Sequence, residues 1–431
     1  MSISIIPRPH TADQTGIRRS FIEDLALKTL YLERELTLRE LATKLHLSQQ
    51  VVQDVYHQLR RQQWCEVKGM DEGVPRIAPS GQGATRASTL FSLSQYVGPT
   101  PVSYDDYITR VRVQSVRDLE VRHHDLEHAF SHLVLSREML DQLGAAIVSG
   151  TSTFLYGPTG TGKTSIAESL PSAYHDAVWI PYALEVDGQV ITIYDPIIHR
   201  RLEQPEHEDY DDRWVLCERP RVMVGGELTI DMLDLQFNPV SKFYSAPPQM
   251  KANNGVFILD DFGRQRIRPE ELLNRWTVPL DRRIDFLTLI GGRKLEIPFD
   301  LFVVFATNLD PSQLADEAFL RRIHNKIKVD CMKREAIHEV FHRLCDRYGM
   351  KYDTEVVEHL MDMIQGEFNQ PLRACYPLDI ILQIRWSAQY EGKPALLNRE
   401  TATRACRNYF ITPGTAEIPV QRLNTRLNTS Q

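Results

Sequence analysis

Two short segments carry residue types whose spacing can do chemistry. The first is Gly157-Pro158-Thr159-Gly160-Thr161-Gly162-Lys163-Thr164, preceded by the apolar run Phe154-Leu155-Tyr156 and followed by a helical pattern over 165–170. It matches G-x-x-x-x-G-K-[ST] in full, between a strand and a helix, which is the context the motif requires. Glycines 157, 160 and 162 let the backbone turn so that its N–H groups face phosphate oxygens. The helix start adds a positive partial charge. Lys163 can neutralise β- and γ-phosphate oxygens, and the Thr164 hydroxyl can ligate Mg²⁺. The second segment follows roughly 95 residues later, Gly255-Val256-Phe257-Ile258-Leu259-Asp260-Asp261. An apolar strand ending in two acids complements a phosphate loop. Asp260 would hold the Mg²⁺ shell and Asp261 would polarise an attacking water. ATP and Mg²⁺ are therefore the expected cofactors.

A third apolar strand, Val303-Val304-Phe305-Ala306, ends in Thr307-Asn308, and Asp316-Glu317-Ala318-Phe319-Leu320-Arg321-Arg322 follows. In this order the constellation resembles the AAA+ ATPases over about residues 130–410. The resemblance implies several roles. Asn308 matches sensor 1, which contacts the γ-phosphate and the attacking water. Arg321 and Arg322 match the arginine finger that reaches a neighbouring subunit's nucleotide, with no indication of which of the two does so. Arg373, in Pro371-Leu372-Arg373-Ala374-Cys375-Tyr376-Pro377, falls at sensor 2, where it would clamp the γ-phosphate from a helical lid. Most of the family carries Asp-Glu where this chain has Asp260-Asp261. Replication initiators and transposition helpers of the same superfamily share Asp-Asp, so hydrolysis is compatible with it.

Two further segments interrupt this core. The stretch 222–250 precedes the Asp-Asp strand, and its part KFYSAPPQM resembles the lead-in found in enhancer-binding activators and MoxR-like ATPases. Those belong to the branch with an insert in helix 2. The resemblance offers Leu228, Met232 and Leu233 as substrate contacts, against the alternative that they pack in the core. The stretch 282–299 reads as a β-hairpin, strands 284–290 and 294–297 around Gly291-Gly292. Arg293 and Lys294 at its tip either meet nucleic acid or an acidic polypeptide, or belong to a plain structural hairpin.

The surrounding elements position these groups. Residues 1–16 read as a flexible arm. Apolar residues at helical spacing predict a helix over 21–35. Thr37 with Glu40 is a capping box opening a helix over 38–45, and Ser48 caps another running to about residue 62. Strands around 64–68 and 76–78 complete a winged helix-turn-helix pattern over 17–87, and TLRELATKLHLSQQVVQDVYHQLRRQQ resembles bacterial regulators. Residues 88–120, rich in Gly, Ser, Thr and Pro, read as a linker. The α/β nucleotide-binding core is expected over 121–330, a helical lid over 331–412, and a disordered tail over 413–431. The acidic run 203–212 reads as a solvated loop. His124 and His128, at i and i+4, could bind a metal, but no third ligand is near, and a solvated helix is the plainer reading.

Composition bounds the function. The chain has 431 residues, 42% hydrophobic and 25% charged, with net charge −7. That excludes a nonspecific polycation, although a local nucleic-acid surface remains open. No run approaches the roughly 20 apolar residues of a membrane span, and no secretory signal is evident. Six scattered cysteines without a C-x-x-C pair fit a reducing, cytoplasmic setting. Residues 18–86 hold 11 basic and 9 acidic residues. This is a weak balance for a module bound through phosphates, even though Gln49, Gln50, Gln53, Asp54 and His57 face outward, with Arg60 and Arg61 at the helix end. The expected fold class is α/β: a P-loop AAA+ core with a parallel sheet, a C-terminal helical lid and an N-terminal winged helix domain. The expected function is ATP hydrolysis by a ring oligomer, taken as a hexamer, that remodels a protein substrate in a chaperone-like way. The alternative is a regulator or loader that contacts double-stranded DNA through the winged helix and uses ATP as an assembly switch.

Overall fold

The computed structural model describes residues 5–71, 73–203, 209–314 and 317–411. The chain divides into two compact units: one takes residues up to 131 with 136–157 and 163–328, the other takes 132–135, 158–162 and residues from 329 onward. No helix among the described residues is long and apolar enough to cross a membrane.

The first unit is built on a five-stranded sheet: β1 (Thr153–Tyr156), β2 (Arg221–Val224), β3 (Val256–Leu259), β4 (Phe302–Thr307) and β5 (Asn325–Lys328). Its order is β5-β1-β4-β3-β2, and every neighbouring pair is parallel. Strands buried on both faces read as continuous apolar runs, and every residue of β3 and β4 is buried. Phe154, Phe262 and Phe305 pack in tilted and edge-to-face pairs with ring centres 5.1–6.0 Å apart. The helix Pro269–Arg282 covers one face through Leu272, Leu273 and Trp276. The expected α/β fold class with a parallel sheet is the one observed.

The N-terminal segment follows the order expected of a winged helix. Helices Arg19–Glu33, Leu38–Leu45 and Gln49–Arg61 precede strands Cys65–Asp71 and Val74–Pro79. The latter strand also pairs with Leu36–Thr37. Both expected caps form. Thr37 and Glu40 bond reciprocally at 3.2 and 2.7 Å, and Val51 N–H donates to Ser48 Oγ at 3.4 Å.

Other expectations need correction. The arm over 1–16, where described, is docked. Pro7 bridges Tyr210, Asp211 N–H donates to the Ile6 carbonyl at 2.8 Å, and Arg8 pairs with Asp212 at 2.9 Å. The supposed linker is structured: helix Gly81–Leu93, strand Val102–Ser103 and helix Tyr104–Val113. Buried Val102 pairs with Leu184, and the Tyr96 hydroxyl donates to the Pro99 carbonyl at 2.6 Å. The acidic run is tied down at its described end, where buried Asp211 pairs with buried Arg213 at 2.7 Å. Arg213 also donates to the Thr15 and Pro101 carbonyls at 2.8 and 3.3 Å. Residues 204–208 and the expected tail over 413–431 lie outside the described residues.

The region between the phosphate loop and β3 holds more strand than the sequence suggested. A second sheet runs in the order Gln236–Asn238, Phe243–Ser245, Gln189–Thr192, Ala183–Val186, Val102–Ser103. Ala177–Pro181 pairs antiparallel with Trp214–Glu218. Ala183 and Val190 of this region share one core with the N-terminal helices Arg19–Glu33, Leu38–Leu45 and Gln49–Arg61. Leu228 and Leu233 are fully buried, which removes them as substrate contacts, and half-buried Met232 packs against the same core.

Lys28 anchors the helix Gly81–Leu93 and the chain after it. Its ammonium is buried, donates to the Ser94 and Tyr96 carbonyls at 3.1 and 2.7 Å, and is pushed down to about 8 by burial, against the pull of Asp24. The unfolded chain keeps this proton up to the ordinary value of 10.5. Between pH 8 and 10 the unfolded state therefore binds more protons, and stability from this group rises with pH. Urea midpoints are expected to increase from pH 7.5 to 9.5 in the parent relative to Lys28→Met, which lacks the titrating group. Equal slopes would contradict this.

The second unit contains helices Arg334–Tyr348, Thr354–Asp362, Tyr376–Tyr390 and Arg399–Tyr409 around Phe341, Leu360, Ile380, Ile381 and Cys406. All six cysteines of the chain are free.

Candidate nucleotide-binding site

The phosphate loop leaves the C-terminal end of β1, Asp260 and Asp261 follow β3, and Asn308 follows β4. Three adjacent parallel strands thus deliver their polar groups to one edge of the sheet, the edge where open α/β sheets bind ligands. Gly157 and Lys163–Thr164 belong to the α/β unit, whereas 158–162 pack within the helical unit. Gly160 and Gly162 have φ of 77° and 93°, a region that favours glycine. A Cβ on Gly160 would lie 2.6 Å from Cys375 Sγ, and Cys375 N–H donates to the Gly160 carbonyl at 3.1 Å. Thr161 Oγ1 closes the tip by donating to the Pro158 carbonyl at 3.0 Å.

Lys163 opens the helix Lys163–Ser169 and is 7% exposed. Its ammonium donates to the Gly157 carbonyl at 2.9 Å. Burial lowers its pKa, opposed by Asp261 and Asp260. Thr164 Oγ1 donates to both Asp260 carboxylate oxygens, at 3.1 and 3.0 Å. A hydroxyl and a carboxylate side by side are hard oxygen donors of the kind Mg²⁺ takes in phosphate sites, so these residues fit that ion. Asn308 Nδ2 donates to Asp261 Oδ1 at 3.1 Å. The expected water-directing acid and the expected sensor amide are therefore in contact, with Asp261 exposed.

Asp261 has a φ of 49°, and the turn that carries it is braced by residues the sequence reading missed. Gln265 Nε2 donates to the Asp260 carbonyl at 2.9 Å, while its Oε1 accepts from Gly263 N–H at 2.8 Å. Thr307 Oγ1 donates to the Phe262 carbonyl at 2.7 Å. Nothing local in the sequence marks Gln265; the Gly in Asp-Asp-Phe-Gly signals only a turn. Gly263 has φ 100°, and a Cβ there would come within 2.7 Å of Leu314 Cδ2. Gly263→Ala is expected to cost about 1–3 kcal/mol and to lower ATP turnover by displacing Asp261. Urea unfolding and a phosphate-release assay check both.

The arginine pair separates. Arg322 Nε donates to Asp281 Oδ2 at 2.9 Å, and its backbone carbonyl accepts from Ser152 Oγ. Arg321 is exposed and its side chain makes no ion pair among the described residues. Asp316 and Ala315 lie outside those residues. In the helical unit, Arg373 Nη2 reaches Gln370 Oε1 at 3.4 Å, and its guanidinium sits 5.8 Å from the Tyr376 ring centre. Its Nε is buried without a partner. Its Cδ lies 3.6 Å from the point a Gly160 Cβ would occupy, beside the loop tip.

The other candidates do not assemble into sites. His124 meets Asp125 at 3.0 Å, as does His175 at 2.9 Å. No cluster of metal-ligating side chains exists among the described residues. The hairpin forms, Ile284–Thr288 against Lys294–Pro298. Its tip cations are engaged, however: Arg293 pairs with Asp187 and Lys294 donates to Thr288 Oγ1 at 2.8 Å.

Residues 333–408 match a family described as a domain of unknown function (DUF8689), well under half of the chain. No match was found among curated proteins. Among solved structures, the chain is similar to the RuvB Holliday junction branch migration motor of Thermotoga maritima. The identity is 14% and the TM-score 0.37, over 63% of this chain and 68% of that one. A point mutant of the same RuvB gives 14% and 0.37 over 68% and 72%. Likeness at this level assigns no function, so the functional reading rests on the site.

Proposed function

We propose that this chain binds and hydrolyses ATP with Mg²⁺ and couples the cycle to remodelling of a macromolecular partner. The observation that carries the reading is the juxtaposition at the sheet edge. Thr164 lies on Asp260, Asn308 on Asp261, and Lys163 is buried at the start of the following helix. Lys163 and the N–H groups of residues 157–164 hold the phosphates. Thr164 and Asp260 hold Mg²⁺, which supplies charge neutralisation at the transferring phosphoryl group. Asp261 orients water, and Asn308 fixes the Asp261 carboxylate while offering an amide to the γ-phosphate. Arg373 is assigned the clamp at the loop tip, supported by its orphaned Nε. Arg321 rather than Arg322 is assigned the trans role, because Arg322 is already held by Asp281. An arginine acting in trans requires an oligomer, proposed as a six-subunit ring in the cytoplasm.

The partner is proposed as a protein, handled in a chaperone-like way as in the MoxR-like branch. The resemblance of the lead-in to β3, residues 242–250, to that branch supports this reading. A second reading, contact with duplex DNA, draws on the exposed outer face of the helix Gln49–Arg61. Steady-state ATP turnover with added duplex DNA, with an unfolded polypeptide, and with neither separates the two. Stimulation by polypeptide alone supports the first reading, and stimulation by DNA alone replaces it with the second.

A further inference from the structure

One buried side chain joins the strand ends that carry the two halves of the water-directing pair. Thr307 is the last residue of β4 and is 1% exposed. It precedes Asn308 and pairs in register with Tyr156 of β1, the residue before Gly157. Its hydroxyl donates to the Phe262 carbonyl at 2.7 Å and accepts from the Leu309 N–H at 3.1 Å. Phe262 follows Asp261, and Leu309 follows Asn308. A backbone bond runs beside this crossing, from the Phe262 N–H to the Ala306 carbonyl at 2.7 Å.

The contact between Asn308 Nδ2 and Asp261 Oδ1, at 3.1 Å, needs such an anchor. Asp261 is exposed and Asn308 half-buried, so core packing does not fix where the two side chains meet. The backbone must do so. Asp261 stands at φ 49°, a conformation that persists in a non-glycine residue only where its surroundings impose it. Thr307 suits this task because a β-branched side chain has few χ1 states, which keeps its hydroxyl at the crossing.

We propose that Thr307 is a positioning residue for ATP hydrolysis, its hydroxyl setting the distance between the Asp261 carboxylate and the Asn308 amide. It acts through Asp261, so it rests on the assignment of that acid to the attacking water. Valine in its place has nearly the same shape but can neither donate to Phe262 nor accept from Leu309. A buried backbone group that loses its partner is costly, and the two turns must part to relieve it. Nucleotide binding is spared, because Lys163 bonds to Gly157 and Thr164 to Asp260 without this hydroxyl.

The test is single-turnover cleavage of pre-bound ATP with Mg²⁺ by the full chain. The variants are Thr307→Val, Thr307→Ala, Thr307→Ser, Asp261→Asn, and Asp261→Asn combined with Thr307→Val. Only folded, loaded sites contribute to such a rate, so a loss of stability does not enter it. Thr307→Val and Thr307→Ala are expected to slow cleavage about tenfold to a hundredfold, as misplaced reacting groups do, with ATP affinity within about threefold of the parent. Thr307→Ser keeps the hydroxyl and should cleave close to the parental rate. On top of Asp261→Asn, Thr307→Val should add no further slowing, because both changes act on one step. Three results overturn the proposal and leave the Asp261 assignment standing. They are a parental rate in either variant lacking the hydroxyl, a loss that Thr307→Ser does not recover, and slowing that multiplies with Asp261→Asn. A parental rate in Asp261→Asn overturns that assignment, and the role of Thr307 with it.

Discussion

Arg321→Ala is expected to lower ATP turnover about 10³-fold, the lower end of what arginines acting in trans contribute to phosphoryl transfer, while leaving ATP binding intact. The guanidinium is exposed, so its removal empties no core and breaks no ion pair among the described residues. Its effect should therefore fall on the transition state, where charge spreads over the γ-phosphoryl oxygens. Arg322→Ala makes the contrast. Its partner Asp281 is half-exposed, and such pairs are worth about 1 kcal/mol or less, so a small stability loss with near-normal turnover is expected. Mixing gives a sharper test. Subunits carrying Arg321→Ala have a sound phosphate loop, and subunits carrying Lys163→Ala have a sound Arg321. If the arginine acts in trans, mixing two nearly inactive preparations restores turnover. If turnover stays at the sum of the two, Arg321 acts within its own subunit or not at all.

Lys163→Ala should abolish turnover through a different step. The ammonium is buried beside the loop, held by the Gly157 carbonyl and drawn by Asp260 and Asp261. Losing a preorganised charge aimed at a phosphoryl oxygen typically costs about 10²–10³ in rate. Ground-state binding should also suffer, because the same charge meets the β-phosphate. Thermal unfolding with and without ATP and Mg²⁺ separates the two effects. In the parent, ATP at 100 times its dissociation constant stabilises by about 2.7 kcal/mol. In Lys163→Ala the midpoint should barely respond. An unchanged ATP-dependent shift would mean that the nucleotide binds elsewhere.

What was legible in the sequence was local. The phosphate loop, the Asp260-Asp261 strand end and the Asn308 strand end are each written in a few consecutive residues, and the parallel sheet places them on one edge. Thr37 with Glu40 and Ser48 predicted helix starts for the same reason, because a cap reaches only three residues. The second sheet was illegible because it is assembled from distant pieces. Val102 pairs with Leu184, and Tyr244 pairs with Ile191. One signal there was available and missed. Asp187-Gly188, with φ of 51° and 83°, forms the tight turn between Ala183–Val186 and Gln189–Thr192, and Asp-Gly between apolar runs marks a hairpin. The stretch over 88–120 misled because small residues suit both solvated linkers and close packing. Only contacts with remote residues, such as the pairing of Val102 with Leu184, distinguish them. The arginine pair could not be resolved from sequence, since Asp281 lies in a separate helix.

The central claim divides labour between two adjacent acids, with Asp260 on the metal and Asp261 on the water. A single-turnover measurement on Asp261→Asn, with pre-bound ATP and Mg²⁺, tests it most directly. The amide keeps the size of the side chain and, with its oxygen toward Asn308, the hydrogen bond from that residue, but it cannot polarise water as a carboxylate does. ATP should bind with near-parental affinity and remain uncleaved, with the rate reduced at least about 10²-fold. Hydrolysis at the parental rate would contradict the account.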